Sequence, residues 1–109
     1  MNQTLEVKTT TADHASARQI AETLVARRLA ACVQIGGPVE SVYRWQGQVE
    51  ASQEWLCTAK TTREAYPLVE KCIRELHSYD EPEIIATEIV AGSASYLKWL
   101  RESVVSEGS

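Results

Sequence analysis

The sequence has 109 residues, 44% of them hydrophobic, and a formal net charge of −4. That length fits one domain with a single core over residues 1–109, and the acidic balance argues against nucleic-acid binding, which depends on Lys and Arg neutralising phosphates. No apolar run approaches the ~20 residues that cross a membrane, and the first residues show no secretory pattern. The three cysteines are widely spaced without a Cys-x-x-Cys pair, so we expect reduced thiols in a cytoplasmic protein.

The first predicted elements are a short strand and a helix. Leu5, Val7 and Thr9 alternate with their neighbours, which predicts a strand that ends in a run of threonines. The apolar residues that follow recur at three- and four-residue spacing and predict a helix: Ala17, Ile20, Ala21, Leu24, Val25 and Leu29. We expect Arg27 and Arg28 in its last turn, where positive charge favours the helix dipole.

A long β-hairpin is predicted in the middle of the chain. Its first strand begins near Ala30, is interrupted by Gly36-Gly37-Pro38 and resumes through Trp45, while the return strand reaches Lys60. The glycines permit a bulge or bend, and the proline cannot donate a ladder hydrogen bond. Strands of this length extend beyond their own sheet, and the resulting unpaired apolar edge favours pairing with another subunit.

The second half of the sequence predicts a helix, a strand and a last helix. The segment 61–64 matches a capping box before the second helix, a polar loop covers 77–82, and a strand covers 83–90. Ser93 can cap the final helix. The complete order predicts an α+β, ferredoxin-like (βαββαβ) antiparallel sheet with two helices on one face, a long central hairpin and an extra C-terminal helix. The other face requires cover, which again favours an oligomer.

The candidate metal ligands lie in and near the polar loop. His77, Glu81 and Glu83 offer imidazole and carboxylate groups, which suit divalent transition metals, and Cys72 could add a thiolate. The alternative is structural: His77 caps the second helix at its C-terminus, and Cys72 is an inert core thiol on an apolar helix face. Because tight metal-ligand spacing is absent, the structural interpretation is the stronger one on site chemistry.

Catalysis finds little support in the sequence. A nucleophile needs a nearby base, and the only histidines are His14, at a helix start, and His77. The loop after the first strand reads Thr9-Thr10-Thr11-Ala12-Asp13 and lacks the glycine and arginine of a phosphate-binding loop. We therefore expect a protein that is not an enzyme and requires no cofactor.

The aromatic residues of the hairpin and the last helix allow two interpretations. Tyr43, Trp45 and Trp99 are expected to pack in the core or in subunit interfaces. In the alternative they form the walls of a small-molecule cleft at a subunit boundary, with Glu54 and Lys60 as its charged groups.

Short motifs spread over almost the whole chain carry a family resemblance: Ala30-Ala31-Cys32-Val33, Ser41-Val42-Tyr43-Arg44-Trp45-Gln46-Gly47, Glu54, Lys60-Thr61, His77-Ser78-Tyr79, Pro82-Glu83-Ile84 and Tyr96-Leu97-x-Trp99. With these motifs the sequence resembles the CutA divalent-cation tolerance family. The resemblance implies a ferredoxin-like subunit in a tight trimer, with inter-subunit sheet contacts made by the long hairpin strands. It also implies structural similarity to PII signalling proteins and an association with tolerance of copper and other divalent metals.

The sequence departs from the family pattern at three places. The usual His-Pro-Tyr is His77-Ser78-Tyr79, and the segment 35–40 is a variant of the usual Pro-Gly bend. Some members carry a suspected copper-ligand cysteine near the end of the first strand, where this chain reads Lys8-Thr9-Thr10. Of the ligands that the resemblance suggests, Cys72 and His77 remain.

These observations predict a non-enzymatic, cytoplasmic homotrimer in divalent-metal tolerance. It would bind Cu(II) or a similar divalent cation weakly at inter-subunit sites near His77. The alternative is a PII-like sensor whose subunit clefts bind a small molecule. Neither nucleic acid nor membrane is an expected partner.

Overall fold

The computed structural model describes residues 3–105, which form four strands and three helices. The elements are β1 (Thr4–Thr11), α1 (His14–Ala26), β2 (Cys32–Trp45), β3 (Gln48–Thr62), α2 (Tyr66–Leu76), β4 (Ile85–Glu88) and α3 (Ala94–Ser103). The strands form one sheet in the order β2-β3-β1-β4, and every pairing is antiparallel. The predicted ferredoxin-like α+β fold with a third, C-terminal helix is confirmed.

The main core lies between one face of the sheet and the helices α1 and α2. Val7 and Ala59 of the sheet pack there against Ile20 of α1 and Val69 of α2, all of them at most 2% exposed. Asp13 starts α1 by accepting a 2.7 Å hydrogen bond from the backbone N–H of Ser16. The opposite face of the sheet carries the alternate residues of the strands.

The end of α1 differs from the prediction. The helix ends at Ala26, so Arg27 and Arg28 lie beyond its last turn. Arg28 adopts a left-handed φ of 60°, which reverses the chain direction. Its guanidinium donates to the carbonyls of Glu102 and Ser103, at 3.1 and 3.4 Å. Arg28 therefore ties the end of α1 to α3 and does not act on the dipole of its own helix.

The start of α2 also differs from the predicted capping box. Thr61 belongs to β3, and its buried hydroxyl donates a 2.6 Å hydrogen bond to the carbonyl of Leu29. The helix begins at Tyr66, with Pro67 in its first turn, where a missing N–H costs nothing. Thr62 accepts from the backbone N–H of Ala65 at 3.2 Å and shapes the turn before the helix. The capping-box prediction was wrong because these threonines complete a strand.

The hairpin of β2 and β3 extends beyond the rest of the sheet, as predicted. β1 pairs with β3 only over residues 55–62, so residues 39–45 and 48–54 pair only with each other. The predicted bulge lies between Gly36 and Val39. Gly37 has a φ of +142°, and a Cβ there would lie 3.1 Å from the carbonyl oxygen of Glu54. A two-residue turn at Gln46 and Gly47, both with positive φ, closes the hairpin.

β4 is shorter than predicted. It covers four residues and pairs with the first half of β1, from Leu5 with Glu88 to Lys8 with Ile85. Glu83 therefore lies in the preceding loop. Among the helices of residues 3–105, none is long and apolar enough to cross a bilayer.

Candidate functional site

A cleft of about 820 Å³ lies between the overhanging hairpin and the loop that follows α2. Among residues 3–105 its lining contains four carboxylates and three aromatic rings but no lysine, arginine or histidine. The carboxylates are Glu54, Asp80, Glu81 and Glu83, and the rings are Tyr43, Trp45 and Tyr79. The cleft therefore has a negative charge and partly apolar walls.

Glu54 is the most buried carboxylate of the cleft. It lies on β3 opposite Val39, directly after the bulge, and only 8% of it is exposed. One of its oxygens accepts a 2.7 Å hydrogen bond from the hydroxyl of Tyr79. No basic side chain within residues 3–105 forms an ion pair with it. A nearly buried carboxylate in this setting favours a cationic ligand, because its charge has lost water without gaining a counter-charge.

Tyr79 is held in its neutral form by its surroundings. Burial, together with the hydrogen bond to Glu54 and its negative charge, raises the pKa of Tyr79 from 10.0 to about 12. The hydroxyl therefore stays protonated at neutral pH and donates to the carboxylate. Since the two residues belong to the loop and to β3, this hydrogen bond joins the two sides of the cleft.

His77 connects the loop after α2 to strand β1. It is the C-cap of α2, and its backbone N–H donates to the carbonyl of Ile73 at 2.9 Å. Its Nδ1 accepts a 3.1 Å hydrogen bond from the backbone N–H of Tyr79, so Nε2 carries the proton. Nε2 lies 2.7 Å from the carbonyl oxygen of Thr10 and donates to it. Both ring nitrogens are therefore occupied by backbone groups.

The family comparison agrees with this architecture. A family model described as CutA1 divalent ion tolerance protein matches residues 5–103. The chain belongs to this family. Over 87 residues it is 49% identical to the divalent-cation tolerance protein CutA of Thermus thermophilus, an alignment that covers 80% of this chain and 84% of that protein.

The plant and animal members of the family are longer. The chain is 37% identical over 97 residues to the chloroplastic CutA of Arabidopsis thaliana, covering 89% of this chain and 53% of that protein. It is 36% identical over 86 residues to human CutA, covering 79% of this chain and 48% of that protein. The chain thus spans about half the length of these plant and animal relatives.

Solved structures of the family have the same fold. The Cut A1 structure from Thermus thermophilus superposes with a TM-score of 0.90 at 44% identity, covering 96% of this chain and 100% of that one. CutA1 from Shewanella sp. SIB1 gives a TM-score of 0.92 at 40% identity, covering 94% and 96%.

The four metal-ligand candidates do not lie together. Glu81 and Glu83 line the cleft, whereas Cys72 is 2% exposed in the main core. Burial, only partly opposed by the charge of Arg27, raises the pKa of the Cys72 thiol. Within residues 3–105 no three His, Cys, Asp or Glu side chains are grouped closely enough to hold a metal ion. Metal ligation by these residues stays a prediction.

The five cleft candidates fall into two groups. Tyr43, Trp45 and Glu54 line the cleft, but Lys60 lies six positions farther along β3, about 20 Å at the rise of a strand. Its ammonium donates to Gln34 at 2.6 Å. Trp99 packs against Tyr96 on α3, with ring centroids 5.4 Å apart. Lys60 and Trp99 therefore lie outside the cleft of the single chain.

Sequence reasoning did not assign Tyr79 and Asp80 to the cleft. Both were part of the polar loop, but no spacing rule connects Tyr79 with Glu54, which is 25 positions away. The sequence signal that could indicate a role for Tyr79 is its aromatic ring in an otherwise polar loop.

The hydroxyl of Tyr79 is expected to stabilise the fold in a pH-dependent way. Tyr79→Phe leaves the Glu54 carboxylate without its donor and should lower the free energy of unfolding by about 1–3 kcal/mol at neutral pH. Because the folded pKa of about 12 exceeds the unfolded value near 10, this contribution is complete below pH 10 and is lost as the pH rises towards 12.

Denaturant unfolding at a fixed protein concentration between about pH 7 and pH 11 measures the effect. Tyr43→Phe is the matched control, because the hydrogen bond of that hydroxyl among residues 3–105 is a 3.4 Å contact with Ser52 on the exposed hairpin. An equal loss of stability in both variants, or a Tyr79→Phe loss that persists unchanged at high pH, would contradict the assignment.

Proposed function

We propose that this protein acts in divalent-cation tolerance as a non-enzymatic homotrimer that binds Cu(II) or another divalent cation weakly at inter-subunit sites. The observation that carries the proposal is the cleft, whose lining within residues 3–105 has four carboxylates and no basic side chain. Carboxylate oxygens bind divalent cations, and a cleft of one charge sign raises the local concentration of its counter-ions.

Weak binding follows from the dispersed ligands. Glu81 and Glu83 are exposed at the cleft, and the described part of one chain has no group of three candidate ligands. His77 would have to give up a hydrogen bond to Thr10 or Tyr79 in order to bind a metal, at a net cost of about 0.5–1.5 kcal/mol. A second subunit that adds ligands at the cleft would complete the coordination, which is why we propose inter-subunit sites.

The overhanging hairpin supports self-association. Val42 and Val49 are each 67% exposed and Trp45 is 53% exposed, in a two-stranded segment that pairs with no further strand of residues 3–105. β2 is also an edge strand over all of its 14 residues. An isolated ribbon is marginally stable in water, and an apolar edge promotes pairing, so contacts with further copies would stabilise it.

A non-enzymatic role is supported by the state of the histidines. The ring of His77 uses both nitrogens for backbone hydrogen bonds, and His14 makes an edge contact with Trp55, with centroids 4.9 Å apart. Neither ring is hydrogen-bonded to a serine or a cysteine side chain within residues 3–105.

The three free cysteines support a cytoplasmic location, since an oxidising compartment promotes disulfides.

The second candidate function is a PII-like sensor whose cleft binds a small molecule. The volume of about 820 Å³ is in the range of small-molecule sites. Three aromatic walls supply the apolar surface that such sites use, and Glu54 supplies a fixed polar group.

Titration of Cu(II) into the full chain at neutral pH tests metal binding, with Zn(II) and Mg(II) for comparison. We expect saturable binding that weakens about tenfold or more in the double variant Glu81→Gln/Glu83→Gln. Glu75→Gln, an exposed carboxylate on α2 that does not line the cleft, is the control and should bind as wild type. The absence of saturable binding, or an equal loss in the control, would reject the metal site.

Light scattering at micromolar concentration tests the trimer. We expect three times the 12.1 kDa mass of the chain, and a shift to monomer for Val42→Asp/Val49→Asp. Because both valines are largely exposed in the single chain, the charges should not unfold it. Val25→Asp, 43% exposed on α1, should remain trimeric. A monomeric wild type would refute the proposal.

A further inference from the structure

We propose that the acidic cleft of one subunit receives the side chain of Lys60 from a second copy of the chain, which forms an ion pair with Glu54. The inference rests on the proposed homotrimer and names a pair of residues that joins its subunits. In the trimer the cleft is then one half of a contact between copies. Three observations support the pairing: an uncompensated charge at Glu54, an available cation at Lys60 and exposed aromatic rings beside both.

The carboxylate of Glu54 lacks a counter-charge within its own chain. Glu54 is 8% exposed, and the hydroxyl of Tyr79 that donates to it is a neutral group. No ion pair within residues 3–105 includes Glu54, and no lysine, arginine or histidine among these residues lines the cleft. Subunit contacts of the adjoining hairpin would remove further water from this charge. Because a buried charge that stays unpaired opposes association, the second copy has to supply the cation.

Lys60 is a basic side chain without a carboxylate partner. Its ammonium donates to the amide oxygen of Gln34 at 2.6 Å and lies 4.0 Å from the sulfur of Cys32. Glu6 lies opposite Lys60 on β1, yet the two side chains form no ion pair. Neutral groups therefore hold the ammonium at the surface of the sheet, and its charge is available for a charge-assisted hydrogen bond to a second copy.

Glu54 and Lys60 lie on the same face of the sheet but too far apart to meet within one chain. Both are on β3, separated by an even number of positions, and they point away from the face on which Ala59 packs in the core. Six positions at the rise of a strand separate them by about 20 Å. In a closed assembly of three copies each contact joins two different surfaces, so the Glu54 end of one copy can face the Lys60 end of the next.

Exposed aromatic rings lie beside both charged groups. On the cleft side these are Tyr43 and Trp45, which are 44% and 53% exposed. On the other side the hydroxyl of Tyr96 lies 3.8 Å from the cysteine sulfur that Lys60 also approaches, and its ring packs on Trp99. These two rings are 42% and 45% exposed. Because interface cores are rich in aromatic residues, the two surfaces match in composition and are opposite in charge.

Its position distinguishes Lys60 from other basic residues. Three arginines already form ion pairs within their own chain: Arg18, Arg63 and Arg74. Lys71 lies on α2, which covers the opposite face of the sheet. Lys8 shares the face of Lys60 on β1, but its cross-strand neighbours are a threonine and an isoleucine.

Charge reversal in the full chain tests the pairing. Sedimentation over a dilution series, at one urea concentration for all variants, gives the protein concentration at which half of the trimer has dissociated. We expect Glu54→Lys and Lys60→Glu each to raise this concentration about tenfold or more, because like charges then face each other. The double variant Glu54→Lys/Lys60→Glu should return to within about threefold of wild type, since it restores opposite charges.

Two controls separate the ion pair from a general effect of charge. Glu75→Lys/Lys71→Glu makes the same exchange at exposed positions of α2 and should dissociate as wild type does. Glu54→Lys/Lys8→Glu places the second reversal on β1 and should remain as weak as Glu54→Lys alone.

Neutral variants cover the case in which a reversed charge prevents folding, which circular dichroism detects. Glu54→Gln keeps an acceptor for Tyr79, and Lys60→Met keeps the length of the side chain. Because each change removes the same ion pair, the double variant should weaken association about as much as one change alone, and not by the product of both effects.

The inference is overturned if the double reversal dissociates as readily as the single ones, if folded single variants dissociate as wild type does, or if the two neutral effects multiply. These outcomes are separable from a failure of the proposed function. A wild-type chain that is monomeric at micromolar concentration without urea rejects the homotrimer, and the ion pair with it. A trimeric wild type that is insensitive to the charges at Glu54 and Lys60 rejects the ion pair alone.

Discussion

The hydrogen bonds of the His77 ring are the constraint on which the cleft depends. Through them the loop after α2 is fixed to the carbonyl of Thr10 on β1 and to the backbone of Tyr79. Tyr79 can then reach across to Glu54 on β3. A histidine whose two ring nitrogens both hydrogen-bond to the backbone thus positions Tyr79, which donates to Glu54, a nearly buried carboxylate without a basic ion-pair partner within residues 3–105.

This arrangement separates two roles that a histidine among carboxylates can have. As a metal ligand, His77 would need a free ring nitrogen, whereas in the structure it holds the loop in place. The negative charge of the cleft is carried by Glu54 on β3 and by Asp80, Glu81 and Glu83 in the loop after α2.

The fold was predictable because its signals are local. The alternation in β1, the apolar stripe of α1 and the glycines of the bulge each act within a few residues. The predicted helix ends were wrong where contacts between distant residues determine the structure. The side chain of Arg28 donates to α3, and Thr61 belongs to β3 and donates to the carbonyl of Leu29. The cleft was predictable only in part, because the Tyr79–Glu54 contact joins residues 25 positions apart and Lys60 is too far along β3.

The most direct test of the central claim is the protonation state of His77, read from a long-range ¹H–¹⁵N spectrum of the full chain at neutral pH. The structure predicts a single tautomer, with the proton on Nε2 and an accepting Nδ1. His14, exposed at the start of α1, gives the second set of ring-nitrogen signals in the same spectrum. A proton on Nδ1 of His77, or an exchange-averaged mixture of its two tautomers, would contradict the account.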